Sequence, residues 1–146
     1  MRKAFEIIEH PADVGFLAYG ATLEQLFENA ALAMMSLAGE LDAIEEREKR
    51  EIQATGGDTE SLLFAWLAEI LAVADAEQLA FCRAQVMQLG TGGEGAGQFR
   101  VRGVVFGESY DRARHRAGTY IKAVTYHQLR VEKTAEGWSA QVFLDV

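Results

Sequence analysis

Gln128-Leu129-Arg130-Val131-Glu132-Lys133-Thr134-Ala135-Glu136-Gly137-Trp138-Ser139-Ala140-Gln141-Val142-Phe143-Leu144-Asp145 is the stretch that decides the fold. Leu129 and Val131 alternate with Gln128, Arg130 and Glu132, and Thr134-Ala135-Glu136-Gly137 has the composition of a turn. Trp138, Ala140, Val142 and Leu144 then alternate with Ser139, Gln141, Phe143 and Asp145. Two period-two runs joined by a turn that ends in glycine predict an antiparallel pair of strands. Successive side chains on a strand point to opposite faces, so with Trp138, Ala140, Val142 and Leu144 in the core, Asp145 joins Gln141 and Phe143 on the other face. His127 shares the parity of Leu129 and Val131 and is expected on the core side, in a structural role. Asp145 stands one residue from the last carboxylate of the sequence, and acids placed together in this way offer oxygen ligands for a hard cation.

Upstream, two helices are marked by their starts. Thr22-Leu23-Glu24-Gln25 has the form of a capping box. Leu23, Leu26, Phe27, Ala30, Ala31, Met34 and Ala38 follow at helical spacing, with Gly39 as the stop and Met34-Met35 as core filling. The second helix opens at Asp58 as N-cap, and Leu62, Leu63, Trp66, Leu67, Ile70, Leu71 and Ala74 give it a wide apolar face. The remaining apolar runs read as strands: one begun by Phe5, Ile7 and His10, then Val14 to Tyr19, Arg47 to Ala54, Leu79 to Leu89 and Gln98 to Phe106. Gly90-Thr91-Gly92-Gly93-Glu94-Gly95-Ala96-Gly97 lies between the last two as a hairpin tip; the residues after it are strand-like, so it lacks the helix that a phosphate-binding loop requires. Strands in mixed order with two long helices predict an α+β fold, a mixed or antiparallel β-sheet packed with two long α-helices.

A chain of 146 residues is expected to form one domain, residues 1–146, with a sizeable core. Fourteen Lys and Arg against twenty-two Asp and Glu leave a net charge of −8, which argues against a protein that coats nucleic acid and suits a basic partner or a cation. Cys82 is the one cysteine, so an internal disulfide, a multi-cysteine zinc site and a redox-switched chaperone are all excluded. Its neighbours Leu79, Phe81 and Val86 predict a small buried hydrophobe. The apolar window Leu62 to Ala76 is interrupted by Glu69 and Asp75 and is too short to span a bilayer, and no signal peptide precedes it; a cytoplasmic protein without a membrane partner is expected.

The candidate functional groups lie at the two ends. Asp13 sits in His10-Pro11-Ala12-Asp13, and Asp145 in Phe143-Leu144-Asp145-Val146. Asp145 and the last carboxylate of the sequence repel each other unless a cation or a basic group lies between them, and whether Asp13 meets them in space decides the function. Lys122, in Ile121-Lys122-Ala123-Val124, is the nearest basic candidate, with its stem expected to be packed and its amine directed. His10 is a structural histidine or a ligand at a strand end. Glu108 and Asp111 are expected to pair with Arg112, Arg114 and Arg116 or to cap a turn, with a general acid/base pair as the alternative. Arg112-Ala113-Arg114-His115-Arg116 is the basic cluster, a solvated loop unless it touches RNA or an acidic patch. The order of Ser, His and Asp residues builds no triad.

Four motifs together resemble the archease family: His10-Pro11-Ala12-Asp13-Val14-Gly15-Phe16, Thr22-Leu23-Glu24-Gln25-Leu26-Phe27-Glu28-Asn29-Ala30-Ala31, Leu62-Leu63-Phe64-Ala65-Trp66-Leu67 and Lys122-Ala123-Val124-Thr125-Tyr126-His127. The likeness runs from near Phe5 to Val146, with the motifs in the family's order. It departs at Pro11, where the family more often has Thr. The resemblance implies a small α+β protein that is not catalytic alone and activates the GTP- and manganese-dependent RNA ligase of tRNA splicing and RNA repair, promoting guanylylation of the ligase histidine and multiple turnover. It implies that the metal-binding acids are Asp13 and Asp145, with Val146 contributing an oxygen, and that Lys122 is the functional lysine; His10, from its place beside Asp13, is taken as a further contact. Oxygen donors of this kind suit calcium, magnesium or manganese better than zinc. Any RNA contact would be indirect, through the ligase. Two other classes remain open at this point: a stand-alone metal-dependent hydrolase or phosphotransferase using Asp13 and Asp145, and a chaperone-like module that binds proteins or RNA.

Overall fold

A computed structural model describes residues 3–9, 13–90, 98–115 and 118–146, with Glu9 described by its main chain alone. The chain runs through β1 (Phe5–Glu9), β2 (Asp13–Gly20), α1 (Leu23–Ala38), a short 3-10 turn (Leu41–Ala43), β3 (Glu48–Gly56), α2 (Thr59–Glu77), β4 (Leu79–Gly90), β5 (Phe99–Ser109), β6 (Ala123–Val124), β7 (Arg130–Thr134) and β8 (Gly137–Asp145). The α+β expectation with two long helices holds. The sheet, however, is two sheets: β1-β2-β8-β6 with β7 also on β8, and β3-β5-β4. Every pairing among the described residues is antiparallel. The chain leaves the first sheet through α1. Helix α2 joins β3 to β4 across the slot that β5 fills, so the strands it connects are never hydrogen-bonded neighbours.

The helices begin where their caps dictate. Thr22 Oγ1 accepts the N–H of Gln25 at 3.1 Å, while Gln25 Oε1 accepts from Ala21 N–H at 2.6 Å, so the box closes one residue outside the N-cap. On α2, Asp58 Oδ1 accepts from Ser61 N–H at 2.8 Å and Ser61 Oγ accepts from Asp58 N–H at 3.1 Å, a complete reciprocal box that satisfies two free first-turn amides. The end of α2 has no glycine: Gln78 takes up the left-handed conformation (φ 56°) that closes it.

One apolar cluster links both helices to both sheets. Phe27 and Met34 of α1, Leu63 and Trp66 of α2, Phe16 and Val142 of the first sheet, and Ile52 and Val105 of the second all belong to it. Trp66 donates its indole N–H to Phe27 O at 3.1 Å, so its one polar atom is satisfied inside the core. Its ring lies over Gly103, where an added Cβ would come within 2.7 Å of the indole. Cys82 departs from expectation: it is half-buried rather than core, its thiol donates to Phe106 O at 3.6 Å, and burial pushes that thiol up. The β4–β5 hairpin forms as expected, with Gly90 opposite Arg100; the tip at 91–97 lies outside the described residues.

Candidate functional site

The register of β2 against β8 builds the site. Val14 opposes Leu144, Phe16 opposes Val142 and Ala18 opposes Ala140. Phe16, Ala18, Ala140, Val142 and Leu144 are buried. A slip of one residue would turn all of them outward, so burial fixes the pairing. The same register places Asp13 directly opposite Asp145, with Ala123 of β6 on the other flank of Asp145. Opposed residues of an antiparallel pair share a face, with Cβ atoms about 4.5–5.5 Å apart, and like charges so placed destabilise the pairing. Asp13 is half-buried and Asp145 exposed. Among the described residues neither carboxylate has a hydrogen-bond or ion-pair partner. Val146 packs its side chain against the edge of the core beside them.

Lys122 meets the pair through its main chain: its N–H donates to Asp145 O at 2.8 Å, which prolongs the short β6 ladder. The expected packed stem is corrected, because Lys122 is exposed and its ammonium forms no ion pair with either aspartate. His127 is corrected as well. It is exposed, in the turn before β7, with its ring against Phe143 at a centroid distance of 5.8 Å. The strand begins only at Arg130, and Gln128 at φ 51° breaks the alternation on which the parity of His127 depended. Phe143 holds to its predicted face yet is buried, because its ring lies on Gly15 and under the turn that carries His127. His10 and Pro11 lie outside the described residues.

Glu108 and Asp111 do not form an acid/base pair. Glu108 is 3% exposed and accepts from Glu45 N–H at 2.9 Å, from Arg114 at 3.0 Å and from the Nε2 of His115 at 2.9 Å, and it also pairs with Arg47 at 3.3 Å. The Glu45 amide first, and then His115 and Arg114, hold its carboxyl at about 2, against an ordinary 4.5. Asp111 turns away and accepts from Ala113 N–H, capping the turn. His115 is therefore no part of a solvated basic loop. It is buried, with Nδ1 accepting from Asp111 N–H at 2.8 Å, which leaves Nε2 to donate to Glu108. Arg112 is exposed, and Arg116 lies outside the described residues. The signal for this network in the sequence was the acid Glu108 at a strand end, close to arginines; by alternation it falls on the outer face of β5, and the segments carrying Glu45 and Arg114 cover it. A cavity of about 360 Å³ adjoins it, between the C-terminal ends of α1 and α2, with Tyr110, His115, Tyr120 and Ile121 in its wall.

Among the described residues no group of three or more His, Cys, Asp or Glu is arranged to hold a metal ion. Two facing carboxylates without a counter-charge fit a hard cation that takes its remaining oxygens from main chain, water or a partner. No helix of the described chain is long and apolar enough to cross a membrane.

The profile of the archease protein family matches residues 5–146. The protein archease of Methanosarcina mazei is 42% identical over 144 residues, spanning 99% of this chain and 97% of its own. That of Methanopyrus kandleri is 41% identical over 142 residues, or 97% and 99%. The solution structure of protein 1598 of Methanobacterium thermoautotrophicum superposes with a TM-score of 0.84 at 34% identity, over 98% and 99% of the two chains. A Thermotoga maritima crystal structure described as an archease and possible chaperone shares the fold, with a TM-score of 0.59 at 22% identity over 100% and 98%.

Proposed function

The chain belongs to the archease family, and on that premise we propose that it is a cytoplasmic protein activator of a GTP- and manganese-dependent RNA ligase, promoting guanylylation of the ligase histidine and repeated turnover in tRNA splicing or RNA repair. One observation carries the proposal: β2 and β8 bring Asp13 and Asp145 into direct opposition, and among the described residues the two charges have no partner. A fold that needed only strand pairing would gain from a neutral residue at either position. Retaining two acids there favours a role outside folding.

Asp13, Asp145 and an oxygen of Val146 would hold a divalent cation, calcium, magnesium or manganese, which when bound supplies positive charge toward phosphate oxygens. The protein's own residues do the positioning. The paired strands fix the two carboxylates relative to each other, so little reorganisation is needed when the ligase centre arrives. Lys122, exposed and tied at its main chain to Asp145, would contact a phosphate. Catalysis remains with the ligase, and any RNA is met through it.

The test is to mix purified ligase, GTP and manganese with this protein and follow ligase guanylylation over many turnovers. Asp13→Ala and Asp145→Ala are expected to fold like the parent by circular dichroism while stimulation drops by about 100-fold, the scale of removing a preorganised electrostatic group. Full stimulation by both variants would overturn the proposal. Turnover of a phosphate ester without any ligase would favour a stand-alone hydrolase instead.

A further inference from the structure

We infer that the segment from Thr119 to Gln128 is the surface that docks on the ligase, with Tyr120 and Tyr126 as its aromatic anchors; this rests on the function proposed above. Among the described residues the large apolar side chains left exposed are Ile7, Met87, Tyr110, Tyr120 and Tyr126. The two most exposed, Tyr120 at 67% and Tyr126 at 60%, fall in this one short segment, on either side of Lys122 and Ala123. Ala123 is the register neighbour of Asp145, so the strand residue between the two tyrosines borders the carboxylate pair.

The segment has little regular structure, yet it is held at close intervals. Thr119 N–H donates to Leu37 O at 2.9 Å, and Lys122 N–H to Asp145 O at 2.8 Å. Thr125 donates both its N–H, at 3.2 Å, and its hydroxyl, at 2.8 Å, to Phe143 O. Ile121 and Val124 are buried as inward pins between the outward side chains. Tyr126 lies flat on Phe64, with ring centroids 4.0 Å apart and planes 11° apart, and its carbonyl accepts from Leu129 N–H at 3.2 Å. Exposed aromatic rings on a pre-ordered backbone lose little freedom on binding, and tyrosine is over-represented where a few residues supply most of the affinity. Stacking on Phe64 covers one face of the Tyr126 ring and leaves the other free.

Charge selects the kind of partner. The segment that carries the rings runs beside Asp145, which faces Asp13, and among the described residues neither carboxylate has a counter-charge; this suits a partner face with apolar sockets at the rim of a cation-rich centre. A phosphate-binding catalytic pocket has that character, whereas a nucleic acid would meet repulsion from Asp13 and Asp145.

The experiment separates affinity from effect. Binding to the ligase is measured by calorimetry, and guanylylation is followed as the concentration of this protein is raised. Tyr126→Ala and Tyr120→Ala are each expected to weaken binding and to raise the half-saturating concentration about tenfold, the consequence of losing one interface anchor, with the same plateau of stimulation. Asp145→Ala is expected to show the opposite pattern, with binding kept and the plateau lost. Met87→Ser and Ile7→Ala, which remove exposed apolar side chains elsewhere, are expected to match the parent. Parental affinity in both tyrosine variants, or an equal loss in Met87→Ser, would overturn the docking surface while leaving the activator function standing. A parent protein that neither binds nor stimulates the ligase would overturn both.

Discussion

Glu108 shows how much of the local structure a single side chain can decide. Its carboxylate is enclosed by a main-chain amide, two arginines and an imidazole, and it ties the start of β3 to the end of β5. A folded-state value of about 2 against an ordinary 4.5 means that its contribution to stability is complete above about pH 4.5 and is lost as the pH falls toward 2. Urea denaturation of the parent and of Glu108→Gln should therefore converge in that window: the variant is less stable at pH 7, and its stability changes less between pH 4.5 and 2. Parallel profiles would show that the network carries no such linkage. At this scale the sequence was legible where parity was unbroken. Asp145 falls on the side that alternation assigns, whereas His127 does not, because the left-handed Gln128 intervenes and no pattern of apolar residues announces a positive φ on glutamine. Lys122 was misread for a related reason: the apolar neighbours Ile121 and Val124 are buried on their own account and leave the lysine outside.

Elements were recognised where local chemistry specifies them. Both helix starts follow from side chains that satisfy first-turn amides, and the face Leu62, Leu63, Trp66, Leu67 is buried as its spacing requires. What a single element cannot reveal is its neighbour. Phe143 counts as outward by period two, yet it is covered because Gly15 opposes it across the ladder and the His127 turn lies against it. Gly103 in β5 is a similar case: it is the hollow into which the Trp66 ring fits, beside the carbonyl of Gln85. Gly103→Ala should lower stability by about 1–3 kcal/mol, the cost of overfilling a packed core, because neither the indole nor the main chain of β4 can withdraw freely. A melting temperature equal to the parent's would show that the contact relaxes at no cost.

The molecule as a whole closes its first sheet with strands from opposite ends of the sequence. Pairing β2 with β8 is the least local strand pairing among the described residues, and neither strand carries a sign of its partner. The two-sheet arrangement was therefore out of reach of a residue-by-residue reading, as were the two-residue β6 and the short 3-10 turn, although the α+β class and the longer elements were not. The aspartates became legible as a pair only through the family resemblance; the register sets them directly opposite each other, as the proposed shared site requires. Residues that act as one unit give losses that do not multiply. The most direct test is accordingly a double-mutant cycle on ligase guanylylation with Asp13→Ala, Asp145→Ala and the combined variant, each folded like the parent. A combined variant no more impaired than either single one is the outcome expected of a shared site. Losses that multiply, or single variants that stimulate fully, would contradict it.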